Sequence, residues 1–515
     1  MDTKALRQKI LDLAIRGKLV PQDPNDEPAS VLLGRIRQQK QQMVKEGKLK
    51  PKDIKNDSVI FVGEDNLHYE KFADGRVKCI EDEIPFDLPE GWEWVRLGSV
   101  GDMTLGKMLD VTKNKGTLRP YLRNINVRWG AFELSDVLEM RFEDDELERY
   151  SIRHGDLVIC EGGEPGRCAV WQSEEVVFYQ KALHRVRAIE VLPEFLYYVI
   201  RHFIISNQYE RYYTGTTIKH LTGQSLRIIP IPLPPLNEQK LIVEHLQRII
   251  EEIDKIETEK TEALSLVSFA KSKILDLAIR GQLVPQDPDD EPASVLLERI
   301  RAEKEELIKQ GKIKRNKKES IIFRGEDNSY YEKIGDKVEN ISDEIPFELP
   351  DGWFFVRLKE LWELISGRDL SPSEYNADGV GIPYITGASN FVDGKVELAR
   401  WTTSPQVITE AGDLLLTCKG TIGGMAFNDF GNAHIARQIM AIRNTFTLNS
   451  EYLALCMRFY INAIKDAAKG LIPGISREDI LNLILPVPSP NYQAKIVERV
   501  AEVTNILSAI EKSLS

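Results

Sequence analysis

The chain repeats a long segment of itself, and this repeat limits the possible folds more than any other feature. Lys9–Gly34 (KILDLAIRGKLVPQDPNDEPASVLLG) returns at Lys273–Glu298 (KILDLAIRGQLVPQDPDDEPASVLLE), with 23 of 26 positions identical. Shorter matches follow in the same order in both halves: GED at 63–65 and 325–327, DEIPF at 82–86 and 343–347, and P-x-G-W at 89–92 and 350–353. A repeat of about 260 residues is far longer than a solenoid repeat and indicates a duplicated large unit.

The two halves diverge after each P-x-G-W. The surviving matches pair Pro120-Tyr121 with Pro383-Tyr384, Gly155-Asp156-Leu157 with Gly412-Asp413-Leu414, and Gln180 and Arg185 with Gln438 and Arg443. Each divergent block closes on a proline-rich strand, IPIPLPPLNEQ ending at Gln239 and ILPVPSPNYQ ending at Gln493. A fixed frame carrying two divergent blocks is the pattern expected of a protein that recognises two different things.

The segment after each closing strand has the heptad pattern of a coiled-coil helix. Apolar residues with 4-3 spacing predict one long central helix over roughly 239–280, broken only by Lys260: Ile242, Leu246, Ile249, Ile253, Ile256, Ala263, Val267, Ala270, Ile274 and Leu277. Residues 493–515 repeat the first part of this pattern, and residues 3–16 repeat the last part. The two terminal helices are therefore one partner for the central seam, in an antiparallel intramolecular coiled coil, and dimerisation through the same seam is the other.

The remaining signals predict the elements around this helix. Gly17 and Gly281 are suited to end helices, and a second charged helix follows near 28–46 and 292–310. The divergent blocks mix short strands (157–160, 228–233 and 414–417) with one apolar helix each (193–206 and 451–467). We predict an α+β fold with an internal pseudo-twofold repeat, divided as follows: a scaffold over 1–91, a first recognition domain over 92–235, a central region over 236–352, a second recognition domain over 353–488 and a terminal helix over 489–515.

Composition excludes several classes of protein. An apolar content of 42 % and a charged content of 29 % are typical of a globular protein, and neither a membrane-length apolar run nor a signal-peptide core is present. Five cysteines without a C-x-x-C pair, together with seven histidines, argue against a zinc site, and we expect a cytoplasmic protein with reduced thiols. The formal net charge is −12, but residues 92–235 carry only −1 and residues 353–488 only −2.

No catalytic motif is found. The sequence lacks a glycine-rich methyltransferase loop and a tetrapeptide in which an acidic residue or Asn precedes Pro-Pro-aromatic. It also lacks an ATP-binding phosphate loop and a nuclease cluster of carboxylates with a lysine. The glycine-rich segment 162–166 is interpreted as a turn that connects two strands, because no Lys-Ser/Thr follows it. His154, His184, His220 and His434 stand singly and are interpreted as surface or hydrogen-bonded core residues.

The motifs L-A-I-R-G-x-L-V-P-Q-D-P, D-E-P-A-S-V-L-L, P-x-G-W and I-P-x-P-P-L-x-E-Q resemble those of type I restriction-modification specificity subunits, over the whole chain. The resemblance implies two target-recognition domains that each read one half of a bipartite double-stranded DNA site. It also implies helices that dock two methyltransferase subunits, with restriction subunits added to that core. S-adenosylmethionine, ATP and magnesium are then expected on the partners, and neither a cofactor nor catalysis on this chain. Pro490-Asn491-Tyr492-Gln493 departs from the L-N-E-Q form of the closing motif.

Reading bases in the major groove requires Arg, Lys, Asn, Gln or hydroxyl side chains on loops. In the first block the candidate DNA-contacting residues are Lys107, Lys113, Lys115, Arg119, Tyr121, Arg123, Asn124, Asn126, Arg128, Gln180, Lys181, Thr216, Thr217, Lys219 and His220. In the second block they are Arg368, Tyr384, Ser389, Asn390, Lys419, Thr421, Arg437, Gln438, Lys469 and Arg477. A solvated loop with no ligand would show the same residue types.

Two other functions are compatible with parts of this pattern. A structural adaptor, in which both blocks bind proteins, would also keep a fixed frame and vary the blocks. A self-sufficient restriction enzyme would require the cofactor and nuclease motifs that are missing from the sequence.

Overall fold

A computed structural model of the protein describes residues 2–55, 57–108, 110, 112–215, 219–311, 313, 319–392, 394–446, 448–467 and 474–514. The chain forms two compact units, Met1–Glu259 (unit 1) and Lys260–Ser515 (unit 2). Within the described ranges, no helix combines the length and the apolar character that crossing a bilayer requires.

Unit 1 contains the elements α1 (Thr3–Ile15), α2 (Ala29–Lys45), α3 (Pro51–Ile54), β1 (Ser58–Val62), β2 (His68–Phe72), β3 (Val77–Cys79), β4 (Glu93–Arg96), β5 (Gly101–Leu105), β6 (Thr117–Leu122), β7 (Val127–Arg128), β8 (Ala131–Phe132), β9 (Leu138–Phe142), β10 (Ser151–Ile152), β11 (Leu157–Cys160), β12 (Cys168–Val170), β13 (Val177–Tyr179), β14 (Leu183–Ala188), α4 (Pro193–Ile205), α5 (Gly223–Arg227), β15 (Pro230–Leu233) and the first part of α6 (Leu236–Ile279).

Unit 2 contains the last part of α6 and the elements α7 (Ala293–Lys309), β16 (Ser320–Arg324), β17 (Tyr330–Ile334), β18 (Lys337–Asn340), β19 (Phe354–Arg357), α8 (Leu358–Leu361), β20 (Trp362–Ser366), β21 (Ile382–Ile385), β22 (Phe391–Val392), β23 (Lys395–Val396), β24 (Trp401–Thr402), β25 (Ile408–Thr409), β26 (Leu414–Thr417), β27 (Met425–Phe427), β28 (Ala433–Ile435), β29 (Ile439–Asn444), α9 (Ser450–Ala467), α10 (Arg477–Leu481), β30 (Ile484–Val487) and α11 (Pro490–Leu514).

The repeated L-A-I-R-G and P-x-G-W motifs contact each other in each unit. Gly17 follows α1 with φ +66°, and a Cβ added there would lie 2.5 Å from Cγ of Pro89. Gly281 follows α6 with φ +69°, and its Cβ would lie 2.7 Å from Cγ of Pro350. A residue with a Cβ is therefore disfavoured at both positions for two reasons. The backbone is left-handed, and a proline packs where the Cβ would be.

The tryptophan of each P-x-G-W motif explains the different closing motifs. In unit 1, Trp92 Nε1 donates to Glu238 Oε2 at 2.8 Å. In unit 2, the ring of Tyr492 packs edge-on against Trp353, with centroids 5.5 Å apart, and its hydroxyl donates to the carbonyl oxygen of Val284. The departure from the L-N-E-Q motif thus replaces one contact to the tryptophan with another.

The terminal helices cover the seam of α6, as the heptad pattern predicts. In unit 1, Arg7 donates to Asp254 (2.5 Å) and Glu257 (3.0 Å), while Leu11 shares a core with Leu246, so α1 and α6 are antiparallel. In unit 2, Lys271 pairs with Glu511 at 2.5 Å, and the Tyr492 contact to Val284 shows that α11 also runs antiparallel to α6. The intramolecular alternative is therefore the one that the structure shows.

Two apolar residues of the heptad pattern remain exposed, one in α6 and one in its C-terminal repeat in α11. Ile256 is 42 % exposed and Ile510 is 43 % exposed. Each lies close to the free end of a helix pair, where Arg7 and Lys271 form the ion pairs to the neighbouring acidic residues. The helix pairs therefore end in ionic contacts rather than in apolar packing.

A three-stranded antiparallel sheet completes each scaffold, with the order β1-β2-β3 in unit 1 and β16-β17-β18 in unit 2. A buried arginine ties this sheet to the first strand of the divergent block. Arg96 donates to Glu70 through Nη2 at 2.6 Å, and Arg357 donates to Glu332 through Nη2 at 2.8 Å. Burial opposes the charged form of Arg357, but the hydrogen bonds and charges of Glu332 and Glu344 together outweigh burial and raise the pKa of Arg357.

Each divergent block is built on two four-stranded sheets of matching topology. In unit 1 the sheets have the orders β10-β13-β6-β9 and β12-β11-β14-β5. In unit 2 the corresponding orders are β25-β28-β21-β24 and β27-β26-β29-β20. In both units the first sheet contains one parallel pair, β6 with β13 and β21 with β28. Similar frames thus underlie sequences that hardly resemble each other.

The first and last strands of each block pair with each other. β4 is antiparallel to β15, and β19 is antiparallel to β30. The next amide continues both pairings, since Leu97 N donates to Ile229 O at 2.9 Å and Leu358 N donates to Leu483 O at 2.9 Å. The chain therefore enters and leaves each block through neighbouring strands.

The matched G-D-L segments have a structural explanation, but the predicted pairing of Arg185 with Arg443 is wrong. The carboxylate of Asp413 accepts two hydrogen bonds from Arg443 (3.0 and 2.9 Å), and that of Asp156 accepts two from Arg187 (2.8 Å each). Arg187 is therefore the equivalent of Arg443. The predicted match of Gln180 with Gln438 is wrong for the same reason, because Ala182 precedes β14 as Gln438 precedes β29. Arg185 lies two residues earlier on the strand and pairs instead with Asp102.

The predicted helices and strands agree closely with the structure. The helices expected at 28–46 and 292–310 span 29–45 and 293–309, and the central helix expected over 239–280 spans 236–279. The strands expected at 157–160 and 414–417 are confirmed at those bounds, and the one expected at 228–233 begins at Pro230.

Candidate nucleic-acid interface

Four loops of unit 1 meet at one end of its two four-stranded sheets. We call them loop cluster 1: residues 123–128, 161–167, 180–182 and 219–222. Asn124 Nδ2 donates to Gly162 O at 2.9 Å, Glu161 N donates to Ala182 O at 2.9 Å, and Leu221 N donates to Glu161 O at 2.7 Å. Candidate residues from distant parts of the sequence are therefore brought together here.

Loop cluster 2 is its equivalent in unit 2 and comprises residues 386–390, 418–424, 436–438 and 474–476. Cys418 N donates to Gln438 O at 2.8 Å, and Ile475 N donates to Cys418 O at 2.9 Å. In unit 1 the backbone of Glu161 makes the two equivalent hydrogen bonds, to Ala182 O and from Leu221 N. The two clusters therefore share one backbone frame.

The glycine-rich segment 162–166 connects β11 to β12, which confirms its interpretation as a turn. Gly163 and Gly166 have positive φ, as do Gly420 and Gly423 in the turn from β26 to β27. Gly166 N donates to Cys160 O at 2.9 Å, and Gly423 N donates to Thr417 O at 2.9 Å.

The side chains on this shared turn differ between the units. Gly162 and Glu164 in unit 1 stand where unit 2 has Lys419 and Thr421, and both Lys419 and Thr421 are exposed. The same turn thus carries an acidic residue in one unit and a lysine in the other.

Asn126 and Asn390 were candidate DNA-contacting residues, and both are buried structural residues. Asn126 Oδ1 accepts from Arg123 N at 2.9 Å and its Nδ2 donates to Glu133 O at 2.9 Å. Asn390 Oδ1 accepts from Thr386 N at 3.0 Å and its Nδ2 donates to Glu397 O at 2.9 Å. Each asparagine satisfies the backbone of its loop, and its amide has no free face for a base.

Lys107, Tyr121 and Tyr384 are also buried, which corrects their assignment as contacting residues. The Lys107 ammonium pairs with Glu143 and, at 2.5 Å, with Glu146. Burial opposes the Lys107 charge, but the hydrogen bonds to these carboxylates outweigh it and raise the pKa of Lys107. Tyr121 and Tyr384 are about 95 % buried in apolar clusters. We leave these residues out of the proposed DNA-contacting set.

Some candidates carry side chains that form no hydrogen bond or ion pair within the described residues. The exposed members of this group are Lys115, Arg128, Lys181, His220, Ser389, Lys419, Thr421 and Gln438, and Arg119 and Gln180 are half-buried. Unpaired cations on loops are available to neutralise phosphates.

Other candidates are tied to protein groups at the surface. Exposed ion pairs hold Lys113 to Asp110 (3.3 Å), Lys219 to Glu210 (3.0 Å) and Arg437 to Asp369 (2.7 Å). Exposed ion pairs contribute about 0–1 kcal/mol, so these three cations can exchange partners at low cost. The side chain of Arg123, paired with Asp136 at 2.7 Å, is only 20 % exposed. Arg368 donates to Gln406 at 3.3 Å, and Arg477 donates to Leu364 O at 2.6 Å.

Thr216, Thr217 and Lys469 lie outside the described residues.

Sequence reasoning missed a network that holds Asn124. Glu164 Oε1 accepts from Trp129 Nε1 at 2.7 Å, and its Oε2 accepts from Arg167 Nη1 at 2.8 Å. Arg167 Nη2 in turn donates to Asn124 O at 2.9 Å. Trp129 and Glu164 are 35 residues apart, and no sequence periodicity signals such a contact.

Two of the singly placed histidines are hydrogen-bonded core residues, as expected. His184 Nε2 contacts Leu221 O at 3.1 Å, and burial lowers the pKa of His184. His434 lies between Val407 O and Arg368 O, at 2.8 Å from each. Among the described residues, no three His, Cys, Asp or Glu side chains are grouped so as to hold a metal ion.

Comparison with known proteins assigns the family. The model of the type I restriction modification DNA specificity domain matches residues 89–266 and 350–515. The EcoEI specificity subunit of Escherichia coli, a type I restriction enzyme subunit, is 26 % identical over an alignment covering 99 % of this chain and 90 % of the relative. The EcoAI specificity subunit of the same species is 25 % identical, with 97 % and 88 % covered.

Two solved structures share the fold. The HsdS subunit from Thermoanaerobacter tengcongensis has a TM-score of 0.53 and 22 % identity, with 84 % of this chain and 94 % of that chain covered. A chain from a study of complex assembly and conformational transition in a type I R-M system has a TM-score of 0.59, 21 % identity and the same coverage. With both divergent blocks matched by the family model, the chain belongs to the type I restriction-modification DNA specificity family, as a non-catalytic recognition component of such a system.

Proposed function

We propose that unit 1 and unit 2 each read one half of a bipartite DNA site through their loop clusters. The observation that carries the proposal is the shared frame of the two clusters, on which the exposed side chains differ. Lys419 and Thr421 in unit 2 occupy the turn that presents Gly162 and Glu164 in unit 1. Two readers with one frame and different side chains would select two different sequences.

The charge distribution supports contact with DNA at these clusters. Net charge is −12 for the chain, but the two divergent blocks are close to neutral. Lys115, Arg128 and Lys181 in unit 1 and Lys419 in unit 2 are exposed cations whose side chains form no hydrogen bond or ion pair in the described ranges. Since phosphate neutralisation provides most non-specific affinity, four such cations predict weak binding by the chain alone and stronger binding with partners.

Mapping the methylated bases in DNA from cells that carry the complete system tests this proposal. We expect one site made of two defined parts separated by a spacer of unspecified sequence. Methylation of a single continuous site, or methylation without sequence preference, would contradict the two-reader proposal. The latter result would favour the structural adaptor.

We further propose that the repeated scaffold docks two methyltransferase subunits, and that restriction subunits join this core. The support is the repeat itself. The helices α2 and α7 have the same length and share 10 of 17 residues, and a three-stranded sheet of the same order follows each, so a surface that fits one repeat has a counterpart on the other. S-adenosylmethionine, ATP and magnesium would then act on the partner subunits.

Native mass spectrometry checks the stoichiometry. With saturating methyltransferase subunit, we expect a complex of two partner copies with one copy of this chain. A single partner copy at saturation would be the opposite result, because it would mean that the two repeats do not offer equivalent surfaces.

A further inference from the structure

We propose that Gln438 is the side chain with which unit 2 selects adenine at one position of its half of the DNA site. The inference rests on the proposed function, since it requires that loop cluster 2 meets DNA. Gln438 is exposed immediately before β29, and its carboxamide forms no hydrogen bond with any residue that the structure describes. Its donor and its acceptor are therefore both available.

The backbone of Gln438 is fixed from both sides. Its carbonyl oxygen accepts from Cys418 N at 2.8 Å, which joins it to the turn that carries Lys419. The next residue, Ile439, is fully buried, and its N donates to Ala436 O at 2.9 Å. Only the side-chain torsions of Gln438 remain free, so the position of its carboxamide is limited.

Gly387 leaves room for the carboxamide. Gln438 Oε1 lies 2.4 Å from the place where a Cβ on residue 387 would be. Gly387 has φ 168°, an extended backbone that any residue adopts. The backbone therefore does not require glycine here, and the carboxamide of Gln438 occupies space that a side chain at residue 387 would fill.

Unit 1 lacks this arrangement. The equivalent of Gly387 is Arg123, because each caps the same short helix, residues 388–390 in unit 2 and 124–126 in unit 1. The equivalent of Gln438 is Ala182, whose carbonyl oxygen accepts from Glu161 N at 2.9 Å. Asn124 Nδ2 donates to Gly162 O, and its Oδ1 is buried. A carboxamide thus comes from different loops in the two units, engaged with the protein in unit 1 and open in unit 2.

An open carboxamide matches the major-groove edge of adenine. Adenine presents N7 as an acceptor and N6 as a donor, and glutamine can bind both through its NH₂ group and its oxygen. Exposed Arg437 precedes Gln438 in the chain, and exposed Lys419 follows Cys418, whose N donates to Gln438 O; both cations suit the adjacent phosphates. Because the backbone of Gln438 is already fixed, only its side-chain torsions have to be ordered on binding, which limits the entropy cost.

Base analogues in the bound DNA test the inference on the complete complex with its methyltransferase subunits. Each adenine in the half-site read by unit 2 is replaced in turn by a purine that lacks the N6 amino group, and the Kd is measured. For the wild type, we expect about 5- to 150-fold weaker binding at one adenine. The Gln438→Ala complex should bind unmodified DNA more weakly by a similar factor. Replacing that adenine by the analogue should then raise the Kd of the variant only slightly further.

The inference would be overturned if, at every adenine, the losses of affinity caused by Gln438→Ala and by the base analogue simply added. A half-site that contains no adenine would also overturn it. Gly387→Asn is a second variant, since its side chain would displace the carboxamide; it should weaken discrimination at the same adenine. Asn124→Ala is the matched control in unit 1 and should leave that adenine unaffected. Thermal unfolding of each variant complex identifies any loss of folding. A wild-type complex without sequence preference would instead overturn the proposed function.

Discussion

Exchanging residues 97–230 for the corresponding block of a related specificity subunit is expected to replace one half of the recognised DNA sequence and leave the other half unchanged. The reason is that the block enters and leaves through neighbouring strands, with Leu97 N bonded to Ile229 O at 2.9 Å. Its two sheets lie between these points and fold as part of unit 1. Methylated-site mapping reads out both halves at once.

The loss at the original half-site should be large. Specific sites are bound about 10³- to 10⁷-fold more tightly than non-specific DNA, so the exchanged protein should treat the original sequence as non-specific in that half. The matched experiment exchanges residues 358–483, which are closed by the Leu358–Leu483 hydrogen bond, and should change only the other half. If either exchange altered both halves together, the units would not be independent readers.

Gly17→Ala is expected to lower the free energy of unfolding of unit 1 by roughly 2–5 kcal/mol. The left-handed backbone at φ +66° costs an alanine about 1–2 kcal/mol, and overpacking against Pro89 costs about 1–3 kcal/mol more. Chemical denaturation of the chain, monitored by a probe placed within unit 1, measures this free energy.

Gly47→Ala provides the matched control for this effect. Gly47 follows α2 with φ +72°, and nothing lies within 4 Å of a Cβ added there. The decrease in the free energy of unfolding for Gly47→Ala should therefore be limited to the backbone cost of about 1–2 kcal/mol. Gly281→Ala and Gly311→Ala repeat the comparison in unit 2, because Gly281 meets Pro350 whereas Gly311 meets no neighbour. Equal losses within each pair would contradict the packing role of the motif.

The repeated frame could be predicted from the sequence because its signals are local or periodic. Gly17 ends a helix, the heptads of α6 fix its apolar face, and near-identity of Lys9–Gly34 with Lys273–Glu298 requires equivalent structures. The family resemblance depended on these same segments. The structure added the contact that explains them, between each glycine and the proline of a P-x-G-W motif.

The loop residues were predicted less well, because residue type does not reveal a tertiary partner. Lys107 and Lys115 look alike in the sequence, but Lys107 pairs with carboxylates 36 and 39 residues away, while Lys115 is exposed. The same limit applies to Asn126, whose side-chain amide donates to the backbone carbonyl oxygen of Glu133. The register of β14 also decided that Arg187, not Arg185, binds Asp156.

The antiparallel helix pairs bear on how a gene for this protein can rearrange by recombination. A crossover between the DNA coding for Lys9–Gly34 and that coding for Lys273–Glu298 would delete one entire divergent block without creating a foreign junction. In the shortened product, α1 would take the place of the last part of α6, and Arg7 would stand opposite Glu511, where Lys271 stands now. The helix contact would keep its charge complementarity through the deletion. A single recombination event at the level of the gene can therefore remove one divergent block and preserve the helix contact.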